Sequence, residues 1–582
     1  MRVLGNIVLA AVLAAGCVAA VFVTNRLTAP QQKVLGSGQV APPDYAALVA
    51  GVTEQSLRAD LEAFAGFGSR FSGSDGCRRA GQYVAEEFRR LGCRVLTQPL
   101  TVTVPMTLPR EGAPGVRLRD ADGAEVPGVR LLPLLPNWFR TCTTPPGGLT
   151  GTVLRGELGL AREFEGSDLR GNIALLPLGV RWETVAAMGA AAVLYHDDGR
   201  HNPGADWPDH LDASLNVPRF VVEGDASTLV GRRVTIDARV DFVPCRVENV
   251  IGVLEGSDPA GEAVVVNAYY DAYSYVPDSS PGAQQACGVA ALLAAARHLA
   301  AEAPQIRRTV VFLATPGHAQ GLFGGREFVA ALGMKERREQ ALQANRRRLE
   351  ELDVEIEQVR SAAEVAADDA YWAAAGEQAE RDYWRTRDEA VRERFTEVFE
   401  RVLADELLAA DERAVQLRVE WVRDGLAVED AEGNEAPSFR RYSEAREGLR
   451  RVSALISTPI GELKEQRPEE IARRDLRARV VAEAAKRLAG LQQARESIAA
   501  RVELGEVLRP YERMLFLSLD LTAASGRVGL VIGEPGHTAV CMPADNEVAA
   551  QLRLAGERLD AAAPDGGHVR TSTGRLRFEN LL

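Results

Sequence analysis

The sequence predicts an α/β protein. Its core is a mixed, mostly parallel sheet flanked by helices, interrupted by a β-rich insertion and by a long α-helical, coiled-coil-like insertion. Three observations lead there. Between Asn249 and Phe328, apolar strand runs (Val264-Val265-Val266, Thr309 to Leu313) alternate with loops and with the alanine-rich helical run Val289 to Leu299, the order of a βαβ unit. From Gly148 to Val243 lie the apolar runs Ile173 to Leu176, Ala190 to Leu194 and Phe220 to Val222, whose β-rich reading rests on a resemblance given below. From Lys335 to Arg509 the chain turns Arg/Glu/Ala-rich, with Leu342, Leu349 and Ile356 every seven residues and Leu352 and Val359 between them, a heptad pattern.

The elements follow in order. Val3 to Val23 is apolar apart from Asn6 and is long enough for a membrane span. An uncleaved signal anchor is preferred, because the apolar run continues past any cleavage site; a cleaved signal peptide comes second. A lipoprotein signal comes third: Ala14-Ala15-Gly16-Cys17 is similar to a lipobox, with Leu13 one place too early. Pro, Gly and Gln then mark a linker. Leu57, Leu61 and Phe64 share one helical stripe, and Tyr83, Val84, Phe88 and Leu91 another that stops at Gly92. Phe395, Val398, Phe399 and Val402 form a further helix face, as do Leu476, Val480, Leu491, Ile498 and Val502. Pro459 and Pro468 break the helical region, and Asp430 to Pro437 reads as an exposed loop. The expected boundaries are 1–26 for the leader, 27–50 for the linker, 51–110 for the first core part and 111–245 for the β-rich insertion. The second core part is 246–334, the helical insertion 335–510, and the third core part 511–582, which the sequence predicts to be incomplete.

At 582 residues the chain exceeds one ordinary core. A net charge of −13, without a basic patch interleaved with aromatics, argues against nucleic-acid binding. The cysteines beyond Cys17 are scattered and form no Cys-x-x-Cys, which speaks against a structural zinc cluster. Export would permit one or two disulfides, and free buried thiols are the equal alternative. The polar run His196-Asp197-Asp198-Gly199-Arg200-His201, with Asp206, Asp209 and His210, is the densest His/Asp cluster. Gly and Pro break it repeatedly, so a solvated loop is preferred to a metal site. No Gly-x-Ser-x-Gly elbow lies between a strand and a helix.

Tyr269-Tyr270-Asp271, Pro281 to Gly288 and Thr315 to Gly324 lie where loops leave the strand ends, the place where such sheets bind ligands. These loops resemble the M28 family of co-catalytic zinc aminopeptidases. The family's His-x-Asp falls on Tyr269-Tyr270-Asp271, so Tyr269 stands at a metal-binding His position. Its bridging Asp falls on Gln284 or Gln285, because the run is one residue short. Its Glu-Glu pair falls on His318-Ala319, with His318 at the general base and Ala319 at a ligand. Leu517-Ser518-Leu519-Asp520-Leu521 resembles a ligand-supplying strand, with Asp520 in the matching place. Gly66 to Ser74, with Ser69-Arg70, resembles the family's Gly-Ser-Arg-x-x-Gly loop. Gly148 to Val243 resembles a protease-associated (PA) domain in three segments: Ser167 to Leu176, Val185 to Leu194 and Asn216 to Val222.

Chemistry decides what the resemblance implies. Catalytic zinc needs imidazole, thiolate or carboxylate ligands and an open position for water. A Gln amide is neutral, Ala319 has no ligand atom, and Tyr269 could bind only as a phenolate. The expectation is therefore an exported, membrane-anchored, catalytically inactive M28-like protein of the cell envelope. A pocket around Tyr269, Gln285, His318 and Asp520 would bind a peptide or protein, with no cofactor. Relatives that kept the fold without peptidase activity, such as the transferrin receptor and nicastrin, give the analogy. The alternative is a zinc aminopeptidase whose atypical ligands are Asp271, His318, Asp520 and His537. A third reading places function in the 335–510 arm, through partner docking or self-association.

Overall fold

The computed structural model describes residues 53–109, 115–137, 140–197, 215–257, 261–302, 306–333, 337–430, 433–519, 528–531 and 569–572. Helices α1 (Glu54–Gly66) and α2 (Asp75–Arg90) come first. Each starts on a hydroxyl cap: Thr53 accepts from the Ser56 N–H and Ser74 from the Cys77 N–H, satisfying donors the helix itself leaves open. Gly92, at φ +77°, turns the chain from α2 into strand β1 (Arg94–Thr107).

The chain then builds a separate sheet. Its strands are β2 (Arg117–Arg119), β3 (Val129–Pro133), β4 (Leu149–Arg155), β5 (Ile173–Pro177), β6 (Ala192–His196), β7 (Arg219–Gly224) and β8 (Arg233–Asp237), with helix α3 (Glu183–Ala187) between β5 and β6. The order is β2-β8-β4-β5-β6-β7-β3. Strands β4 to β7 run parallel, and antiparallel strands close both sides. Trp182, Tyr195 and Phe220 are fully buried in its core.

Strand β9 (Val240–Leu254) returns along the whole length of β1. Strand β10 (Glu262–Tyr269), helix α4 (Cys287–Ala301), strand β11 (Thr309–Thr315) and helix α5 (Phe323–Leu332) follow. Strand β12 (Arg513–Ser518) completes the order β1-β9-β11-β10-β12. Strand β10 is parallel to β11 and β12, whereas β9 is antiparallel to β1 and β11. This sheet is therefore evenly mixed, not mostly parallel as expected. A βαβ pattern reveals β10 and β11 locally; the β1–β9 pairing spans the whole second sheet and leaves no local signature. Strands β13 (Val528–Val531) and β14 (Val569–Ser572) form a parallel pair of their own.

The helical region comprises α6 (Arg338–Ala367), α7 (Asp369–Ala373), α8 (Glu377–Trp384), α9 (Glu389–Arg423), α10 (Pro437–Ile456), α11 (Ile460–Gln466), α12 (Pro468–Arg473) and α13 (Leu476–Leu508). Helices α6 and α13 run antiparallel, pinned by Arg346–Glu506 at 2.7 Å and Arg487–Glu355 at 3.7 Å. The expected heptad positions Leu342, Leu352, Ile356 and Val359 are buried between them. Helices α9 and α10 form a second antiparallel pair, stapled near its turn by Trp421 stacked on Tyr442.

The arm is not separate from the core. Leu504 and Leu508 of α13 pack with Phe328, Val265 and Leu313 on one face of the β1–β12 sheet. Helices α1, α2 and α4 cover the other face with Phe64, Phe88, Leu292 and Leu293. The core is thus three-layered. Cys77, Cys93, Cys142, Cys245 and Cys287 are free thiols. Among the described residues no helix is long and apolar enough to cross a membrane; the apolar run 3–23 lies outside them.

Candidate functional site

Strands β10 and β11 end side by side, with Tyr269 opposite Thr315. The loops that follow, 270–286 and 316–322, leave from the same end of the sheet. The Tyr269 and His318 rings stack across the gap, with centroids 3.8 Å apart and planes 22° apart. Tyr269 is buried and His318 half-buried.

Beside this stack lies Asp271, buried at 2% exposure. Its Oδ2 accepts from the Ser72 hydroxyl at 2.6 Å, from the Gly317 N–H at 2.9 Å and from the His318 N–H at 3.3 Å. Its Oδ1 is buried and has no hydrogen-bond partner among the described residues. Burial pushes the Asp271 pKa up, while the Ser72 hydroxyl, His318 and the two N–H groups pull it down. One carboxylate oxygen therefore ties together three segments: the 66–74 loop, the end of β10 and the turn after β11.

Arg70 fixes the loop after β10. It is fully buried and donates to the carbonyls of Tyr270 at 2.7 Å, Gly282 at 2.8 Å and Pro281 at 3.0 Å. Its guanidinium also stands 5.1 Å from the centre of the Phe64 ring. Burial lowers its pKa to about 10, against the opposing pull of Asp271. Gly76 lets the 66–74 loop approach α2, since a Cβ there would lie 2.0 Å from the Ser69 carbonyl oxygen.

The remaining candidates separate. Gln285 closes a two-bond ring with the Tyr273 backbone: its Oε1 accepts from the Tyr273 N–H and its Nε2 donates to the Tyr273 carbonyl, both at 2.7 Å. Its amide thus holds the loop and faces no shared centre. Gln284 and Ala319 are exposed. Asp520 and His537 lie outside the described residues. The geometry brings Tyr269, Asp271 and His318 together and adds Ser72, which no spacing in the sequence singled out. Leu322 is a further feature at the rim: it is 56% exposed and holds φ +57°, a left-handed conformation unusual for a branched side chain.

The described donors do not fit the pair of zinc ions that the resemblance implies. Tyr269 is committed to a ring stack, the Gln285 amide is spent on backbone, and Ala319 offers no donor atom. No group of three metal-binding side chains occurs among the described residues. Of the polar run at 196–210, only His196 and Asp197 are described. They line a cavity of about 420 Å³ with Arg155, Glu223, Asp225 and Ser279. The cavity opens at the second sheet and includes none of Tyr269, Asp271 and His318.

Residues 249–384 match the model of peptidase family M28. Among solved structures, the chain is similar to a zinc aminopeptidase from Bacillus subtilis at 18% identity and a TM-score of 0.33. That match covers 48% of this chain and 65% of the other, under two thirds of its length. It is similar to an aminopeptidase from Aneurinibacillus sp. strain AM-1 at 19% identity and a TM-score of 0.29, over 50% of this chain and 69% of the other. A peptidase M28 precursor from Shewanella amazonensis SB2B is matched at 19% identity and a TM-score of 0.32, over 51% and 70%. No curated protein matches the chain. Through residues 249–384, then, this chain is related to peptidase family M28.

Proposed function

We propose that the chain is a non-catalytic M28-like binding module of the cell envelope, anchored by the apolar run 3–23. The observation that carries the proposal is the Tyr269–His318 stack. It occupies the strand ends, where the resemblance would place a metal-binding imidazole and a general base. A base acts on a proton that a metal has made acidic; an imidazole stacked face to face on a phenol has instead a surface for planar or apolar groups. The exposed Leu322, whose N–H donates to the His318 carbonyl at 3.0 Å, adds an apolar side chain to the same turn. The ligand class this suggests is a peptide segment with an aromatic or apolar side chain. The resemblance of 148–243 to a PA domain is consistent with a peptide partner.

The rival reading, a zinc aminopeptidase with atypical ligands, has one observation in its favour. The buried Asp271 Oδ1 lacks a partner among the described residues and lies in the same cluster as His318.

Zinc content of the purified full chain, dialysed against micromolar zinc, separates the two. The proposal expects only background zinc, the same in His318→Ala, and no cleavage of aminoacyl substrates. Tight stoichiometric zinc that is lost in His318→Ala would establish the enzyme reading instead.

A further inference from the structure

The outward face of α9 carries an apolar seam that no described residue of the arm covers. Leu408, Val415, Val419 and Val422 are each between 45% and 60% exposed. At about 100° per residue they fall on one narrow stripe. The opposite side of the same helix buries Phe395, Val398, Val402, Ala414 and Leu417 against the arm. The seam is therefore additional to what the arm needs for its own packing. Spacings of seven, four and three residues are those of a coiled-coil contact.

The charges flanking the seam are self-complementary. Asp411 and Arg418 lie on one flank, both exposed. Neither forms an ion pair among the described residues. In an antiparallel pairing of α9 with a second α9, like flanks meet. The register that sets Leu408 beside Val419 of the second copy also sets Asp411 opposite Arg418, and the two-fold axis repeats each contact. Asp405 then falls near Arg423 on the other flank. Parallel pairing would bring unlike flanks together and set Arg418 near Arg423 of the second copy, like charge against like. We propose that this chain self-associates through an antiparallel, two-fold contact between the α9 helices at the outer end of its arm.

A membrane is a poorer occupant. The turn that ends α9 carries Asp424, Glu429, Asp430 and Glu435, which an anionic lipid surface repels. The seam is short, and Glu412 stands at its edge, so the contact is a reversible one. It is independent of the function proposed above.

Sedimentation of the full-length chain in non-ionic detergent, across a concentration series, tests the proposal. The wild type should pass reversibly from monomer to dimer. Val415→Asp should weaken the dimer roughly tenfold or more without altering thermal unfolding, since the site is exposed. This variant also separates the arm from any pairing through the leader. Asp411→Arg and Arg418→Asp should each weaken self-association, their equimolar mixture should form mixed dimers, and the double exchange should restore the homodimer. A wild type that stays monomeric at high micromolar concentration overturns the proposal. So does a dimer indifferent to Val415→Asp, or charge variants that fail to complement each other.

Discussion

Asp271 shows how one residue can define a site without being its chemistry. Its Oδ2 collects the Ser72 hydroxyl and two backbone N–H groups, while Oδ1 stays buried without a partner among the described residues. Burial dominates and raises the folded pKa above the ordinary value. The folded state then holds its proton more tightly than the unfolded chain, so protonation favours folding. Stability should fall as pH rises from about 4, the unfolded aspartate value, through the raised folded value, and level off above it. Urea midpoints measured against pH should show this decline in the wild type and lose it in Asp271→Asn. A midpoint that rises over the window would mean that the donors outweigh burial. At this scale the sequence was half legible. Tyr269, Asp271 and His318 could be placed together by resemblance, because strand ends converge in any such sheet. The tasks of Arg70 and Gln285 could not be read, because each serves a backbone carbonyl or amide whose position only the folded loop determines.

Among the elements, the helices were the most legible and the strand order the least. Heptads in α6 and the apolar face of α9 repeat over short windows, so periodicity finds them. Pro459 and Pro468 were equally plain as breaks; Pro468 opens α12, and Pro437, read as the end of a loop, opens α10, since a missing N–H costs nothing in a first turn. Strands β1 and β9 alternate too irregularly to betray their partner. A polar surprise lies inside the arm. Lys464 of α11 is almost fully buried, donates to the Tyr371 carbonyl at 2.9 Å, and sits 3.7 Å from Glu380 and 3.8 Å from the centre of the Tyr371 ring. Burial lowers its pKa, opposed by Glu380. Replacing Lys464 by Met should strand the carboxylate and destabilise the fold by about 3 kcal/mol. Adding Glu380→Gln should recover most of that loss, as measured by thermal unfolding. Equal stability of the single and double variants would show that the pair is not coupled.

Across the whole molecule, the helical insertion is part arm and part core. Removing all of 335–509 would take Leu504 and Leu508 from the sheet and expose Phe328 and Val265 to water, so such a deletion cannot isolate the arm's role. A narrower cut can. Arg477 reaches the Ala367 carbonyl, which places the end of α6 beside the start of α13. Joining Ala367 to Leu476 through a short glycine linker should therefore leave a folded protein that lacks α7 to α12 and no longer self-associates. A truncated chain that unfolds would show that the outer helices also stabilise the core.

Helix α13 has a mechanical meaning as well. It is one unbroken rod of 33 residues, about 50 Å long at 1.5 Å per residue. Its far end joins the arm, and its near end lies against the sheet. A short turn after it leads into β12, and β12 is hydrogen-bonded along β10, the strand that ends at Tyr269. A tug on the outer helices would thus travel through a stiff lever, a short turn and one strand pair before reaching the aromatic stack. Whatever grips the arm also has a handle on the strand ends.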